Sequence, residues 1–313
     1  MEIINGDSIS KMVDYSFGDQ AGVLMGIPGA FMKRAHESNQ EFLDFCKSAE
    51  RFGFLDGIRP MTLFIDNIRL YNRPISCNER DRSWIEHLQR DDLLALCATL
   101  PHKFIIYTSH EDTPIDEYIK LPDNVLKIYA TNAIYNNDKI IPFPYGLQRK
   151  MNEEDNRIEI MKEMVEKDEH QEPTKLLYIN CGLGKERNAP ERAYLPHFEA
   201  YEWATCRFNK DSMFFPHSQY RAFLTEMRDH KFMICPEGHG IDCHRNWELL
   251  YMRRVPVMKK SPYFTRLMQG FPVLFVERWE DVTEELLIKN DHLYQEALQM
   301  DLTKLDLNNY EAR

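Results

Sequence analysis

Arg245 and Glu248 are spaced so that they could bind one charged ligand together. Residues three positions apart lie on the same face of a helix. An arginine at a helix start binds phosphate oxygens, and a carboxylate one turn later accepts hydrogen bonds from two ribose hydroxyls. The spacing therefore predicts a nucleoside diphosphate pocket, although an ordinary Arg–Glu ion pair on a strand–turn–helix unit has the same spacing.

The residues around this pair suit close approach of a ligand. In 232–258, a predicted strand ends at Cys235, a glycine-containing turn follows, and Asp242 occupies the expected N-cap of a helix. Glycines let the backbone approach a ligand, and the N–H groups at a helix start attract an anion. The residues expected near the ligand are Glu237, Gly238, His239, Gly240 and Asp242.

A second glycine loop, CGLGKERN, follows a strand predicted at 175–181. It is not a Walker phosphate loop, because Ile179 and Glu186 stand where that motif needs Gly and Ser or Thr. Its cations can still reach phosphates, and arginine is the better bidentate phosphate ligand. Arg187 and Arg192 are therefore predicted phosphate ligands, with plain surface charge as the alternative.

Alternating strands and helices are predicted to position these groups, which indicates an α/β fold with mostly parallel sheets. The predicted strands are 61–66, 103–109, 125–131, 139–146, 175–181, 231–235, 255–258 and 272–277. The predicted helices are 42–52, 84–100, 219–230 and 243–254, with a final helical stretch from Glu280.

The length of 313 residues favours two domains. We predict a first domain at 1–150, a solvated acidic helix acting as a hinge at 151–172, and a second domain at 173–313. Two such α/β units would place a cleft at the carboxyl ends of their strands, where open sheets bind ligands.

The net charge of the chain limits the kinds of molecule that it can bind non-specifically. The chain has 39 Lys and Arg against 50 Asp and Glu, a net charge of −11. This excess of acid argues against non-specific binding to nucleic acid or to anionic membranes. There is no membrane-length apolar run and no signal-peptide core near Met1, and the 7 cysteines are scattered. We expect a soluble cytoplasmic protein without integral membrane contact.

The motif in 235–257 resembles the carboxyl-terminal part of exostosin-like glycosyltransferases (family 47 and its soluble relatives). In that family a strand ending in Cys-Pro-x-Gly leads to a helix with Arg and, three residues later, Glu, and a Pro-Val strand follows. The segments TSHEDTPID, IYATNAIYNNDKIIPFPYGLQ and LYINCGLGKERNAPERAYL extend the resemblance from near Lys103 to Leu287. The loop GHGIDCH is longer and richer in His than the common version.

The resemblance implies a GT-B fold, in which two Rossmann-like domains face a central cleft and the second holds most of the donor. It also implies inverting transfer from a UDP-sugar to a carbohydrate acceptor, without an essential metal or other cofactor. By analogy alone xylose is the favoured sugar. The alternatives are a nucleotide-sugar hydrolase or epimerase, and a non-catalytic nucleotide- or carbohydrate-binding module. A zinc site is not expected, because the spacing of Cys235, His239, Cys243 and His244 does not match the common zinc patterns.

Inverting transfer needs a base that removes the acceptor hydroxyl proton. The candidates at strand ends and loops of the first domain are Asp19, Asp66, His110, Glu111 and Asp112. Asp112 comes first because it follows the strongest predicted strand within the resembling segment. Each is otherwise a cap or a surface group. The leaving diphosphate would be stabilised by Arg245 and the arginine loop in place of a metal.

Overall fold

The chain forms two compact units, Ser8–Phe143 and Met1–Asp7 with Pro144–Arg313. The computed structural model describes residues 4, 8–9, 12–17, 40–47, 60–66, 93–109, 115, 119–135, 137–148, 155–167, 172–183, 192–209, 219–238 and 240–307. We call the two units the first and the second unit below.

The first unit contains a five-stranded parallel sheet in which spatial order follows chain order. Its strands are β1 Tyr15–Ser16, β2 Met61–Asp66, β3 Phe104–Ser109, β4 Val125–Ala130 and β5 Ile140–Pro142. Helix α1 (Leu93–Ala98) and a helical segment at 40–47 accompany it. Alternate strand residues such as Leu63, Ile65 and Ile106 enter a common core, as the two-residue period of a strand requires.

The second unit contains another five-stranded parallel sheet, with the order β10-β9-β8-β6-β7. Its strands are β6 Lys175–Gly182, β7 Ala204–Asn209, β8 His230–Ile234, β9 Val255–Lys259 and β10 Leu274–Val276. Its helices are α2 Arg157–Glu166, α3 Tyr220–Arg228, α4 His244–Tyr251, α5 Pro262–Leu267, α6 Glu284–Lys289 and α7 Asp291–Gln299. In the described part of the chain, none of the helices is long and apolar enough to cross a membrane.

Both faces of the second sheet are buried. Tyr178 and Met233 point into a core formed with α2 to α5, whereas their neighbours Ile179 and Ile234 point into a core that includes residues of α6 and α7. Because parallel strands covered on both faces have no solvent side, their sequences are nearly continuous apolar runs. The predicted α/β class with parallel sheets is confirmed.

Two features differ from the sequence-based boundaries. The division between the units falls after Phe143, and the segment predicted as a solvated hinge contains α2, which belongs to the second unit. Ile160, Met161 and Met164 of α2 are buried in the core of that unit. Because acidic residues dominate this segment, its narrow apolar stripe is not evident from composition. Such a stripe is enough to pack a helix against the core.

The helix predicted at 243–254 is shorter than expected. It ends at Tyr251, and Arg253 has a left-handed φ of 54°. The Arg254 Nε then donates to the Arg228 carbonyl oxygen at 2.8 Å. These arginines therefore fix the chain leaving α4 through contacts with neighbouring backbone.

His230, the first residue of β8, is a buried histidine in which one ring nitrogen forms a hydrogen bond. Its Nδ1 lies 2.7 Å from the Glu226 carbonyl oxygen, so Nδ1 carries the hydrogen. Its ring stacks on Tyr178 with centroids 4.8 Å apart. The buried Nε2 has no hydrogen-bond partner among the described residues, and burial lowers the pKa of His230.

We expect this histidine to destabilise the fold in mild acid. The unfolded chain takes up the proton near pH 6.5, whereas folded His230 resists it, so stability falls as pH drops below about 6.5 by at most about 1.4 kcal/mol per unit. His230→Asn keeps a donor toward Glu226 and does not titrate. Urea unfolding of both proteins from pH 7.5 to 5 should show the steeper loss in the wild type. Parallel curves would contradict the assignment.

Candidate functional site

The strand order of the second unit places a topological switch point between β6 and β8. The chain goes from β6 to the edge strand β7 and returns across β6 to β8. In open parallel sheets, ligands bind at the carboxyl ends of the strands beside such a reversal. Here those ends are Gly182 of β6 and the turn after Ile234 of β8. The predicted glycine motif follows β8 at this point.

Arg192 bridges the two strand ends. Its Nη1 donates to the Gly182 carbonyl oxygen at 2.8 Å, and its Nε and Nη2 donate to the Glu237 carbonyl oxygen at 3.1 and 2.6 Å. Arg192, a predicted phosphate ligand, therefore donates three of its five N–H groups to backbone carbonyl oxygens. Its main effect in the structure is to hold the turn after β8 against the end of β6.

The turn itself leaves room above the backbone. Gly238 N donates to the Gly240 carbonyl oxygen at 3.0 Å. A Cβ built on Gly238 would meet no atom of the described residues closer than 3.8 Å, so packing against those residues does not require a glycine there. That open space suits the expected close approach of a ligand to the backbone.

Arg245, in the first turn of α4, is a cation with no direct partner among the described residues. It is partly buried, and its Nε is buried without a hydrogen-bond partner. No described residue forms an ion pair with its guanidinium within 4.0 Å. An arginine held in this way carries a desolvation cost that a bound anion would remove.

Three cysteines interact electrostatically with Arg245 but do not neutralise it. Its charge interacts with Cys181 at the end of β6, Cys235 after β8 and Cys243 before α4. Burial raises the pKa of all three thiols, to about 11 for Cys243. They are therefore neutral near pH 7 and supply no counter-charge.

Glu248 lies one turn further along α4 and is 8% exposed. Its Oε1 accepts a hydrogen bond of 2.9 Å from the Tyr220 hydroxyl. No other described group donates to this carboxylate. Burial raises the pKa of Glu248, and the charge of Arg245 and the Tyr220 hydrogen bond oppose that rise. The predicted pair thus lies together on one face of α4 without forming the simple ion pair that was the alternative.

Asp242 has a different position from the one predicted. The N-cap residue is Cys243, whose side chain makes no capping hydrogen bond, and Asp242 precedes it with 1% exposure. Its carboxylate accepts from Trp247 Nε1 at 2.9 Å, Asn246 Nδ2 at 2.8 Å and Tyr145 N at 2.8 Å. Burial raises the pKa of Asp242 to about 6, against the effect of these donors. The residue is a structural acceptor at the base of the motif.

The segment 144–147, the Pro-x-Gly-Leu turn of the sequence, packs under the same helix. His244 Nδ1 lies 2.8 Å from the Gly146 carbonyl oxygen. Gly146 has φ 68°, and a Cβ there would overlap the backbone of Ile4. Only glycine satisfies both conditions. This turn therefore fixes the start of α4 through contacts distant in sequence.

Several predicted site residues cannot be placed. Asp66 is the last residue of β2, and its side chain is not described. The other predicted site residues outside the described part of the chain are Asp19, His110, Glu111, Asp112, Arg187 and His239.

An open groove of about 1190 Å³ lies along α2 and α3. Arg221 on its wall forms an ion pair with Glu163, Arg228 Nη2 donates to the Met164 carbonyl oxygen at 2.6 Å, and Asp229 accepts from Thr174. Because these charges are paired within the protein, the groove is a weaker candidate than the switch point.

The most important residue that the sequence did not reveal is Tyr220. It begins α3 and reaches Glu248 across 28 positions of sequence. Asp155 and Arg157, which are also buried, lie nearby and form an ion pair of 2.6 Å. Nothing in the local sequence around these residues signals their proximity to the helix motif.

No protein-family model matches the sequence, and no curated protein matches it. No group of three or more His, Cys, Asp or Glu side chains suited to a metal ion occurs among the residues that the structure describes. The candidate site is therefore defined by geometry alone: a switch point, an open turn, an unpaired arginine and a buried glutamate.

Proposed function

We propose that the protein is an inverting glycosyltransferase that transfers a sugar from a UDP-sugar to a carbohydrate acceptor. One observation carries the proposal: at the switch point of the second unit, no described residue forms an ion pair with the guanidinium of Arg245, and its buried Nε has no hydrogen-bond partner among them. A diphosphate can supply the bidentate charge-assisted hydrogen bonds that no described residue gives this arginine.

The neighbouring groups support a nucleotide rather than a simple anion. Glu248 lies one turn from Arg245, and its carboxylate can accept a hydrogen bond from ribose. The open turn at Gly238 gives the ligand access to backbone. A free inorganic phosphate would satisfy the arginine and leave the glutamate unused.

In the proposed reaction, the acceptor hydroxyl oxygen attacks the anomeric carbon of the donor sugar. The bond from that carbon to the diphosphate oxygen breaks, UDP leaves with the electron pair, and configuration inverts. The hydroxyl proton passes to a base, for which Asp112, Asp19, Asp66 and His110 remain the candidates. Arg245 stabilises the charge that develops on the leaving diphosphate.

The two parallel-sheet units are compatible with the two Rossmann-like domains of a GT-B transferase, with the donor on the second. The sheet order of the second unit also occurs in flavodoxin-like folds, where the ligand lies at the same switch point. Xylose remains the favoured donor sugar by analogy.

Turnover of a UDP-sugar panel, with and without acceptor glycans, tests this function. Release of UDP that depends on an acceptor is the expected result. Equal release without acceptor would instead identify a hydrolase. UDP binding without any turnover would identify a binding module, and conversion of one UDP-sugar into another an epimerase. Binding of UDP alone does not separate these functions.

A further inference from the structure

We infer that the candidate site binds a diphosphate ligand together with a proton, which Glu248 takes up. The inference rests on the proposed function and adds the pH dependence of that binding. The ligand anion and the Glu248 carboxylate are both stabilised by the positive charge of Arg245. When the ligand neutralises that charge, ionised Glu248 becomes less stable in its buried position, and a proton from the solvent removes the difficulty.

Glu248 is a buried carboxylate with little direct support for its charge. It is 8% exposed, and the hydrogen bond from the Tyr220 hydroxyl, at 2.9 Å, is the only one that a described group donates to it. The charge of Arg245, one turn earlier on α4, is the largest effect that favours the ionised form. Ionisation of Glu248 therefore depends mainly on a cation that a bound anion would neutralise.

The other nearby cation is already balanced. Arg157 donates from Nε and Nη2 to the two carboxylate oxygens of Asp155, at 2.9 and 2.6 Å, and both residues are buried. Arg245 and Glu248 also balance each other in net charge, although they form no direct ion pair. A diphosphate brings more negative charge than Arg245 alone neutralises. The buried region therefore becomes net negative on binding unless a proton enters it.

Glu248 is the group in this cluster that can take up a proton near neutral pH. The groups that interact electrostatically with it are Arg245 on α4, Arg157 on α2, Tyr220 on α3, and the thiols of Cys235 and Cys243. The arginines are already protonated. Burial raises the pKa of the tyrosine hydroxyl and of both thiols, so these groups also keep their protons. Asp242, whose pKa burial raises to about 6, is the other carboxylate of the motif and has to be separated from Glu248 by experiment.

Protonated Glu248 is compatible with its neighbouring hydrogen bond. Oε1 can accept from Tyr220 while the proton binds Oε2, because the neutral carboxyl group keeps acceptor capacity. The neutral group also no longer repels the ligand anion. Proton uptake therefore strengthens ligand binding as well as removing a buried charge.

The sign of the pH dependence follows from this coupling. Uptake occurs between the pKa of Glu248 without ligand and its pKa with ligand. Burial raises the first above the ordinary value of 4.5, and the ligand anion raises the second further. Below this interval the carboxyl group is protonated before the ligand binds, and above it the carboxyl group stays ionised. Affinity should therefore rise as pH falls through the interval, by at most about tenfold per pH unit.

Calorimetric titration with UDP-xylose at about pH 6, in MES and in Bis-Tris, tests the inference. These buffers release protons with different enthalpies, so the difference in heat gives the number of protons taken up. UDP-xylose is the probe because both of its phosphates are esterified and do not titrate in this range. We expect wild type to take up about 0.3–1 proton per ligand, and its Kd to fall about 2- to 10-fold between about pH 7.5 and 5.5.

Glu248→Gln is neutral at every pH and should bind UDP-xylose without proton uptake and with a constant Kd. Glu226→Gln is the matched control. Glu226 also accepts from a buried tyrosine, with the Tyr178 hydroxyl at 2.8 Å, but it pairs with Arg207 on a different helix. This control should keep the uptake and the pH dependence of wild type.

The outcomes separate the inference from the proposed function. Wild-type binding with equal heats in the two buffers would overturn the inference, whether or not Glu248→Gln folds and binds. Uptake that persists in Glu248→Gln would assign the proton to Asp242 or another group and also overturn it. If UDP binds and UDP-xylose does not, the difference in uptake of UDP between wild type and Glu248→Gln decides, because both proteins share the titration of the ligand. Binding of neither ligand by wild type would overturn the proposed function, and the inference with it.

Discussion

Arg245→Met should nearly abolish nucleotide binding while changing the stability of the ligand-free protein little. The guanidinium has a buried Nε without a hydrogen-bond partner, and the thiols beside it are neutral. Replacing this cation by an apolar side chain of similar length removes a desolvated charge but also its attraction to buried Glu248, so the free energy of unfolding should change by less than about 1 kcal/mol. Loss of a desolvated charge contact to diphosphate should weaken UDP binding by about 2–5 kcal/mol, roughly 30- to 5000-fold.

A large loss of binding with little change in stability separates a binding arginine from a structural one. Urea unfolding without ligand gives the first quantity and calorimetry with UDP gives the second. Arg278→Met is the control, because Arg278 is 69% exposed and pairs with Asp281 on the surface. It should change neither quantity by more than about 0.5 kcal/mol. A destabilised Arg245→Met that still bound UDP normally would show that the arginine serves packing.

The strands and helices of the second unit follow from the sequence because their signals are local. Apolar runs such as 231–235 are short, bounded and β-rich, and they form β8 nearly as expected. The three-residue spacing of Arg245 and Glu248 also sufficed to place both on one face of α4. Apolar periodicity and short spacings, within about ten residues, can be read directly from a single sequence.

The hydrogen-bond partners of the site residues cannot be predicted from such local signals. Tyr145 N reaches Asp242 across 97 positions and Arg192 reaches the Glu237 carbonyl across 45. Such contacts depend on how whole elements pack, and a single sequence does not encode them as a local pattern. The sequence therefore predicts Arg192 as a phosphate ligand, whereas in the structure three of its N–H groups donate to backbone carbonyl oxygens.

The N-cap prediction failed for an energetic reason. Asp is a favoured cap, and Asp242 lies one residue before the observed cap, Cys243. The buried Trp247 indole N–H needs an acceptor, and the Asp242 carboxylate supplies it at 2.9 Å. Satisfying an interior donor outweighs capping, because an unmet buried donor costs more than an unmet exposed one. The N-cap preference for Asp therefore identifies a residue near the start of α4, but it does not reveal that the Asp242 side chain points to Trp247.

Asp242→Asn should therefore be the most destabilising conservative change in the motif. The carboxylate accepts from Tyr145 N at one oxygen, Asn246 at the other, and Trp247 at both. An amide offers only one acceptor oxygen, and its NH₂ would face an N–H donor. We expect a loss of about 2–4 kcal/mol in the free energy of unfolding at pH 7.5, measured with urea.

Asp301→Asn is the control for the same chemical change, because Asp301 is an exposed cap that accepts from Thr303 N at 2.9 Å and Asn caps equally well. It should cost less than about 0.5 kcal/mol.

The pH dependence of stability gives an independent check on Asp242. Since burial raises the pKa of Asp242 from 3.8 to about 6, the folded state binds the proton more tightly than the unfolded state. Wild type should therefore gain stability over Asp242→Asn as pH falls from about 6 towards 4, and a constant difference across that range would mean that Asp242 does not titrate there.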